Sequence, residues 1–308
     1  DDMFLILVGD QDKINSLMPD KIKMLEDTRY KILHTKESIN MDDEIISAIR
    51  GKKKSSMRLG INAVKAKDAD ACVSAGNTGA LMALSKIILK TIPGIDRPAI
   101  CGSLPTKSGQ FHMLDLGANV ECNAKHLYQF SLMGSALVQS LELNNKPVIG
   151  LLNIGSEEFK GNDTIKSAGQ LISKSNLNYA GFVEGDDMFS GKFDVVVADG
   201  FAGNIALKSI EGVAKVINHF IKTEFTKNMF TKLSALISLP VLKSVKQRVD
   251  PREYNGASLV GLQGVVVKSH GGADSYAFSQ AINTAYYEVK NELLNKIESL
   301  IQTELSNE

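Results

Sequence analysis

The sequence has no tryptophan, three cysteines, seven prolines and no excess of either charge, and these shortages remove whole classes of protein. With 35 basic side chains against 35 acidic ones, no whole-molecule field draws in a polyanion. Any affinity for an acidic partner must come from a local patch, and a general nucleic-acid binder is excluded. Cys72, Cys101 and Cys122 are odd in number and widely spaced, which fits neither a disulfide framework nor a C-x-x-C motif. They read as buried, reduced thiols of a cytosolic protein. The longest apolar stretches, such as 233–242, are about half of the roughly 20 residues that span a bilayer. Also missing are G-x-G-x-x-G with its acidic residue downstream, G-x-x-x-x-G-K-[ST], H-E-x-x-H and G-x-S-x-G. Dinucleotide, ATP, zinc-protease and serine-hydrolase readings lose ground together. No signal-peptide architecture opens the chain; a strand-like run over 4–9 starts almost at once, as in a truncated start.

What is there is an ordinary soluble globular composition, 44% hydrophobic over 308 residues, without low-complexity tract or interdomain linker. Short apolar runs alternate with segments of helical period. The runs at 4–8, 32–33, 71–74, 113–116, 148–153, 179–183, 195–198 and 264–268 read as strands. This pattern predicts a single α/β domain over 1–308, a mostly parallel sheet covered on both faces by helices. Phe278, Ile282, Tyr286, Val289, Leu293, Ile297 and Ile301 repeat every three or four residues and predict one long C-terminal amphipathic helix. Residues 213–249 depart from the alternation and predict a helical protrusion, its second stretch stopped by Pro240 and Pro251. There Met229, Phe230, Leu233, Leu236 and Ile237 interleave with Lys227, Lys232, Lys243, Lys246 and Arg248. Such a surface packs on its own body or a second subunit, or it touches a membrane or an acidic partner.

Four apolar runs end in small-residue turns followed by helical pattern: Ser74-Ala75-Gly76-Asn77-Thr78-Gly79, Gly117-Ala118-Asn119, Asn153-Ile154-Gly155-Ser156 and Asp199-Gly200-Phe201-Ala202-Gly203-Asn204. In a parallel sheet all four would share one rim, the carboxyl ends of the strands, where ligands of open α/β folds bind. Helix N-termini with glycine there favour an anion such as phosphate. Each turn read alone is as well explained by helix capping. His270, beside Gly271 and Gly272, is either catalytic or a loop residue satisfying the backbone.

These runs, with Gly94-Ile95-Asp96-Arg97-Pro98, Lys160-Gly161-Asn162, Gly256-Ala257-Ser258-Leu259 and His270-Gly271, resemble in order and over the whole chain the bacterial phosphate acyltransferases of phospholipid synthesis. The resemblance implies a homodimeric three-layer α/β/α sandwich similar to phosphotransacetylases and to isocitrate and isopropylmalate dehydrogenases. It implies transfer of an acyl group from acyl carrier protein to inorganic phosphate without a cofactor or metal, in a cytoplasmic enzyme with peripheral membrane contact. The acyl phosphate would pass to a glycerol-3-phosphate acyltransferase, itself a candidate partner. Two departures stand out: the family's first strand and Asp-Ala-Met-Gly-Gly-Asp turn do not precede Asp1, and Ile45 stands where proline is common.

Phosphate is nucleophilic at neutral pH, so this chemistry needs two anionic groups held together and an oxyanion stabilised. The expected phosphate cradle is Ser74, Gly76, Asn77, Thr78, Gly79 and Gly203. Lys160 is the expected cation on the phosphate or the oxyanion, with Asn119, Asn162 and Asn204 as neutral donors to the carbonyl. Lys208 is the second-choice cation, and Asp199 either caps its helix or takes part. An acidic carrier protein requires a basic patch, either Arg50, Lys52, Lys53, Lys54 and Arg58 or the lysines of the protrusion. Two other classes compete: an NAD(P)-dependent oxidoreductase on the dehydrogenase-like fold, and a non-enzymatic carrier-protein scaffold.

Overall fold

The computed structural model describes residues 3–141, 143–248 and 250–305; the side chains of 246–248, 304 and 305 are not described, so Lys246, Arg248 and Val249 of the protrusion lie outside the described set. The chain opens with β1 (Leu5–Gly9), α1 (Gln11–Leu17), α2 (Asp20–Lys23), β2 (Tyr30–His34), α3 (Ile45–Gly51) and α4 (Ser56–Ala66). Then come β3 (Ala71–Ser74), α5 (Thr78–Leu89), the hairpin β4 (Ala99–Pro105) and β5 (Gln110–Leu114), α6 (Ala124–Ser140), β6 (Ile149–Leu152), α7 (Asp163–Lys174) and β7 (Tyr179–Val183). β8 (Val195–Val197), α8 (Gly200–Thr226), α9 (Met229–Arg248), β9 (Ala257–Val260), β10 (Val265–Lys268), α10 (Ser275–Lys290) and α11 (Leu293–Leu305) complete it.

β1 and β2 pair in parallel, and the other eight strands form one sheet in the order β3-β10-β9-β4-β5-β8-β6-β7. Alternation along each strand sends successive side chains to opposite faces. Cys72, Val266 and Leu259 meet α4 and α5, and Met113 and Val196 meet α8. Val265 and Val267 meet α10, while Leu114, Val195 and Val197 meet α6, α7 and α11. The result is a three-layer α/β/α sandwich. Each buried leucine or valine contributes about 1.5–3 kcal/mol, so the valine runs of β8 and β10 tie both layers to the sheet.

Expected strands appear within a few residues of their predicted places. Two strands not predicted, β4 and β9, are antiparallel to both neighbours and reverse the sheet's direction between β10 and β5. Pro240 does not stop the second helix of the protrusion but lies inside α9. The predicted C-terminal helix is two, α10 and α11, parted at Asn291 and Glu292, where Glu292 takes φ 55°.

Candidate functional site

Because β4 and β9 reverse the direction, the four turns do not share one rim. β5, β8 and β6 leave the sheet one way, while β3 and β10 leave the other way. Register nevertheless brings all five exits to one level. Val73, Val267, Ser258, Cys101, Leu114, Val197 and Leu151 are successive partners across the sheet, a single row. β5 and β8 end on that row, β6 one residue beyond it, and β3 and β10 one residue beyond it on the other side. Two opposed sets of exits therefore straddle the middle of the sheet, with α5 rising from one and α8 descending from the other. Met82 of α5 packs in the same cluster as Ala202 and Ala206 of α8, so the two helices are neighbours on one face.

On the β5 and β8 side the organising residue is Asp115. Its buried carboxylate accepts from the backbone N–H of Ile100 (3.0 Å), Ala118 (3.0 Å) and Asn119 (2.7 Å), and from Asn119 Nδ2 (2.9 Å). Burial pushes its pKa up, and these donors pull it back. Asn119 Nδ2 also donates to the Pro98 carbonyl (2.8 Å), so its amide is committed to the turn, while its own carbonyl accepts from Gly200 N–H (2.8 Å). Asn204 packs on Gly117, which takes φ +119°, a left-handed conformation that favours glycine. Gly203 must be glycine because a Cβ there would collide with the Asp115 carbonyl oxygen. Asp199 accepts from Ala202 N–H (2.7 Å) and caps α8.

One strand over, Asn153 holds the β6 loop by donating to the carbonyls of Gly155 (3.1 Å) and Lys160 (3.2 Å). Lys160 is half exposed and pairs with Glu157 at 2.8 Å, which raises its pKa and keeps it a cation. Asn162 caps α7 by accepting from Ile165 N–H (2.9 Å). Lys208, one turn beyond Asn204, pairs with Glu211 (2.9 Å).

At the opposed exits, Ser74 Oγ accepts from Gly76 N–H (3.2 Å). Asn77 caps α5 through Ala80 N–H (3.0 Å) and donates to the Met41 carbonyl (2.9 Å). Thr78 and Gly79 form the first turn of α5. His270 donates its backbone N–H to Asn255 Oδ1 (2.8 Å), and its Nδ1 accepts from Gly272 N–H (3.0 Å), a role in closing the loop. Sequence reasoning gave no role to Asp115, Asn255 or Lys268, and it saw Asn153 only as the first residue of a turn. Asp115 is a single charge between two leucines and Lys268 a lysine closing a run of valines, which was the available signal.

Burial lifts the thiols of Cys72 and Cys122 to about 12 and about 11, and it raises that of Cys101 as well. Cys122 is partly exposed, not buried as expected. Among the described residues no three His, Cys, Asp or Glu side chains gather as metal ligands would, and no helix is long and apolar enough to cross a membrane.

Residues 1–296 match the family described as fatty acid synthesis protein. The chain is 54% identical over 293 residues to the phosphate acyltransferase of Methylococcus capsulatus, covering 95% of this chain and 86% of that protein. It is 53% identical over 302 residues to the phosphate acyltransferase of Nitrosococcus oceani, covering 98% and 88%. Among solved structures, a phosphotransacetylase from Streptococcus pyogenes superposes with a TM-score of 0.58 at 17% identity, covering 95% of this chain and 94% of that one. A 4-hydroxythreonine-4-phosphate dehydrogenase from Klebsiella pneumoniae does so with 0.52 at 11%, covering 92% and 90%. These structural likenesses speak to the fold alone.

Proposed function

This chain belongs to the fatty acid synthesis protein family of phosphate acyltransferases and is an enzyme of that class; from this premise we propose that its acyl donor is an acyl carrier protein thioester. Inorganic phosphate attacks the thioester carbonyl, the C–S bond breaks, and its electron pair leaves on sulfur, which takes up a proton to become the carrier thiol. The acyl phosphate then serves glycerol-3-phosphate acylation and phospholipid synthesis. The oxidoreductase and scaffold readings are not favoured by this kinship.

The observation that carries the proposal is the meeting of the two opposed sets of strand exits on one row, with α5 and α8 side by side between them. Phosphate lies against Ser74, Gly76 and the first N–H groups of α5, in a turn whose shape Asn77 fixes as cap. Asn204 faces the acyl carbonyl, while Gly203, expected in the phosphate cradle, gives its N–H to the Asp199 carbonyl (2.9 Å) and lets α8 lie close to Asp115. Lys160 neutralises developing negative charge, and Asn119 and Asn162 position these groups through the turns they hold. Direct attack by phosphate suits a chain whose thiols are all pushed away from ionisation.

For docking the acidic carrier we propose the stretch from α3 to α4. Arg50, Lys53 and Lys54 are exposed there, and the flanking Met57 and Ile45 line Gly76 and Gly79 of the phosphate turn. Lys52 is paired with Asp43, and Arg58 donates to the Ile49 carbonyl (2.7 Å), so these two hold the stretch together. The α8–α9 hairpin is proposed as the homodimer surface, because Val216, Phe220, Leu236 (67%) and Ile237 stand exposed on it. Its tip, with Met229 and Phe230 (84%) beside Lys227 and Lys232, is the proposed peripheral membrane contact. The deciding experiment supplies acyl carrier thioester and inorganic phosphate and looks for acyl phosphate by mass spectrometry. Absence of product, or turnover only with another acyl donor, sinks the proposal.

A further inference from the structure

β10 reads Val-Val-Val-Lys, and its last residue is the least expected one in the sheet. Val266 packs among Met57, Leu81 and Leu84 under α4 and α5, so Lys268, two residues on, projects from the same face. In register Lys268 lies between Ser74 of β3 and Ala257 of β9. Ser74 shares that face with Cys72, and Ala257 packs with Met82 of α5 and Ala206 of α8. Lys268 therefore rises from the floor between these two helices, at the level where α5 begins.

Only 8% of Lys268 is exposed, yet its charge is not balanced. Its ammonium donates to the neighbouring Ser269 carbonyl, and none of the ion pairs among the described residues includes it. An ammonium has three protons to place, and burying one without an opposite charge is costly. Burial alone lowers its pKa from the ordinary lysine value. Lys160, the cation that sequence reasoning singled out, is the reverse case, half exposed and already paired.

We infer that Lys268 binds a phosphate-class dianion on the floor between α5 and α8, together with the Ser74 hydroxyl and the first N–H groups of α5. The ligand class rests on the acyl-to-phosphate reading; the need for an anion rests on the burial and the missing counter-charge. Two sources offer this chemistry, the inorganic phosphate that attacks the thioester and the phosphate within a carrier protein's phosphopantetheine arm.

The test is equilibrium binding without an acyl donor, so that failure of this inference and failure of turnover are read separately. Calorimetric titration of the full chain with inorganic phosphate, with 4′-phosphopantetheine and with pantetheine separates the sources. Binding of either phosphate compound but not of pantetheine is expected, and which one binds identifies the source. Lys268→Met should weaken that binding at least 30-fold and Lys268→Arg less, each with its fold intact by circular dichroism. Should Lys268→Met not fold, Ser74→Ala serves instead, with a loss of several-fold. Independently of any variant, the wild-type protein should melt at a higher temperature in phosphate than in chloride of equal ionic strength. No binding of either phosphate compound, undiminished binding by a folded Lys268→Met or by Ser74→Ala, or equal melting in both salts would overturn the inference.

Discussion

Asp115 and Lys268 lie within a residue of the same row of the sheet and are almost equally hidden, at 0% and 8% exposure, but the protein treats the two charges differently. Asp115 receives four hydrogen bonds from Ile100, Ala118 and Asn119. Lys268 has one carbonyl. Removing a charge from water is expensive in either case, and in most proteins the fold itself supplies the compensation. At the β5 exit it does, and the charge serves to shape a turn. At the β10 exit compensation is left to something that arrives. A buried charge with its partners in place is architecture, and one without them points to a ligand.

The largest effect expected is on stability at the satisfied charge. Asp115→Ala would leave its buried donors without an acceptor and should cost about 3 kcal/mol or more in denaturant unfolding. A loss under about 1 kcal/mol would show the carboxylate to be dispensable and would break the contrast. Next comes Lys160, whose exposed pair with Glu157 adds little to the fold. Lys160→Ala should unfold like the parent yet lower turnover by on the order of 10² to 10³, the loss of one aligned electrostatic contact. Lys160→Arg should recover part of it, since a planar fork does not reproduce a compact ammonium. Full activity in a folded Lys160→Ala would hand the cationic role to Lys268.

Glu288 supplies a third kind of buried charge, one cancelled by its own proton. It is fully enclosed under β9, where Ser258 Oγ donates to it, and burial raises its pKa from 4.5 to about 8. Between those two values the unfolded chain loses this proton and the folded chain keeps it. The stability contributed is full below 4.5 and is lost as pH rises through about 8. Glu288→Gln should remove a slope of up to about 1.4 kcal/mol per pH unit from the unfolding free energy in that window. Parallel curves for parent and variant would mean that Glu288 ionises within the fold.

Strands whose apolar runs are flanked by glycine turns were legible one by one, as β3 and β7 illustrate. Their directions were not. β4 carries Gly102, Ser103 and Pro105 among its apolar residues, and β9 is four residues ending just before another glycine, so neither stood out as a strand. Those are the two that reverse the sheet, which is why the single rim was expected and two opposed exits were found. Pro240 was read as a stop because proline removes one helix hydrogen bond and crowds its own preceding turn, a penalty that α9 bears without ending there. Among site residues, Asn77, Asn162 and Asp199 were visible because a cap and an anion site use the same residue types. Lys268 was visible only as a lysine ending a strand, since its burial and its alignment with Ser74 are properties of pairing.

The smallest effect expected concerns Cys72, the thiol of the strand that leads into the phosphate turn. Cys72 sits two residues before Ser74 on the same face of β3, beside Gly60 and beneath α4. A double-displacement mechanism would place the acyl group on its sulfur, which requires an accessible thiolate. Burial instead lifts its pKa to about 12, so at neutral pH the thiolate fraction is about one in 10⁵. Among the described residues none offers Cys72 a base, and the space around it belongs to Met57, Ile61 and Val266. Cys72→Ala should therefore keep turnover within a few-fold, with a stability loss of about 1 kcal/mol for the vacated sulfur. An acyl group trapped on Cys72 by mass spectrometry during turnover would reverse the mechanism. It would also make this thiol, and not the ammonium two strand positions further along, the reactive centre of the β3 and β10 exits.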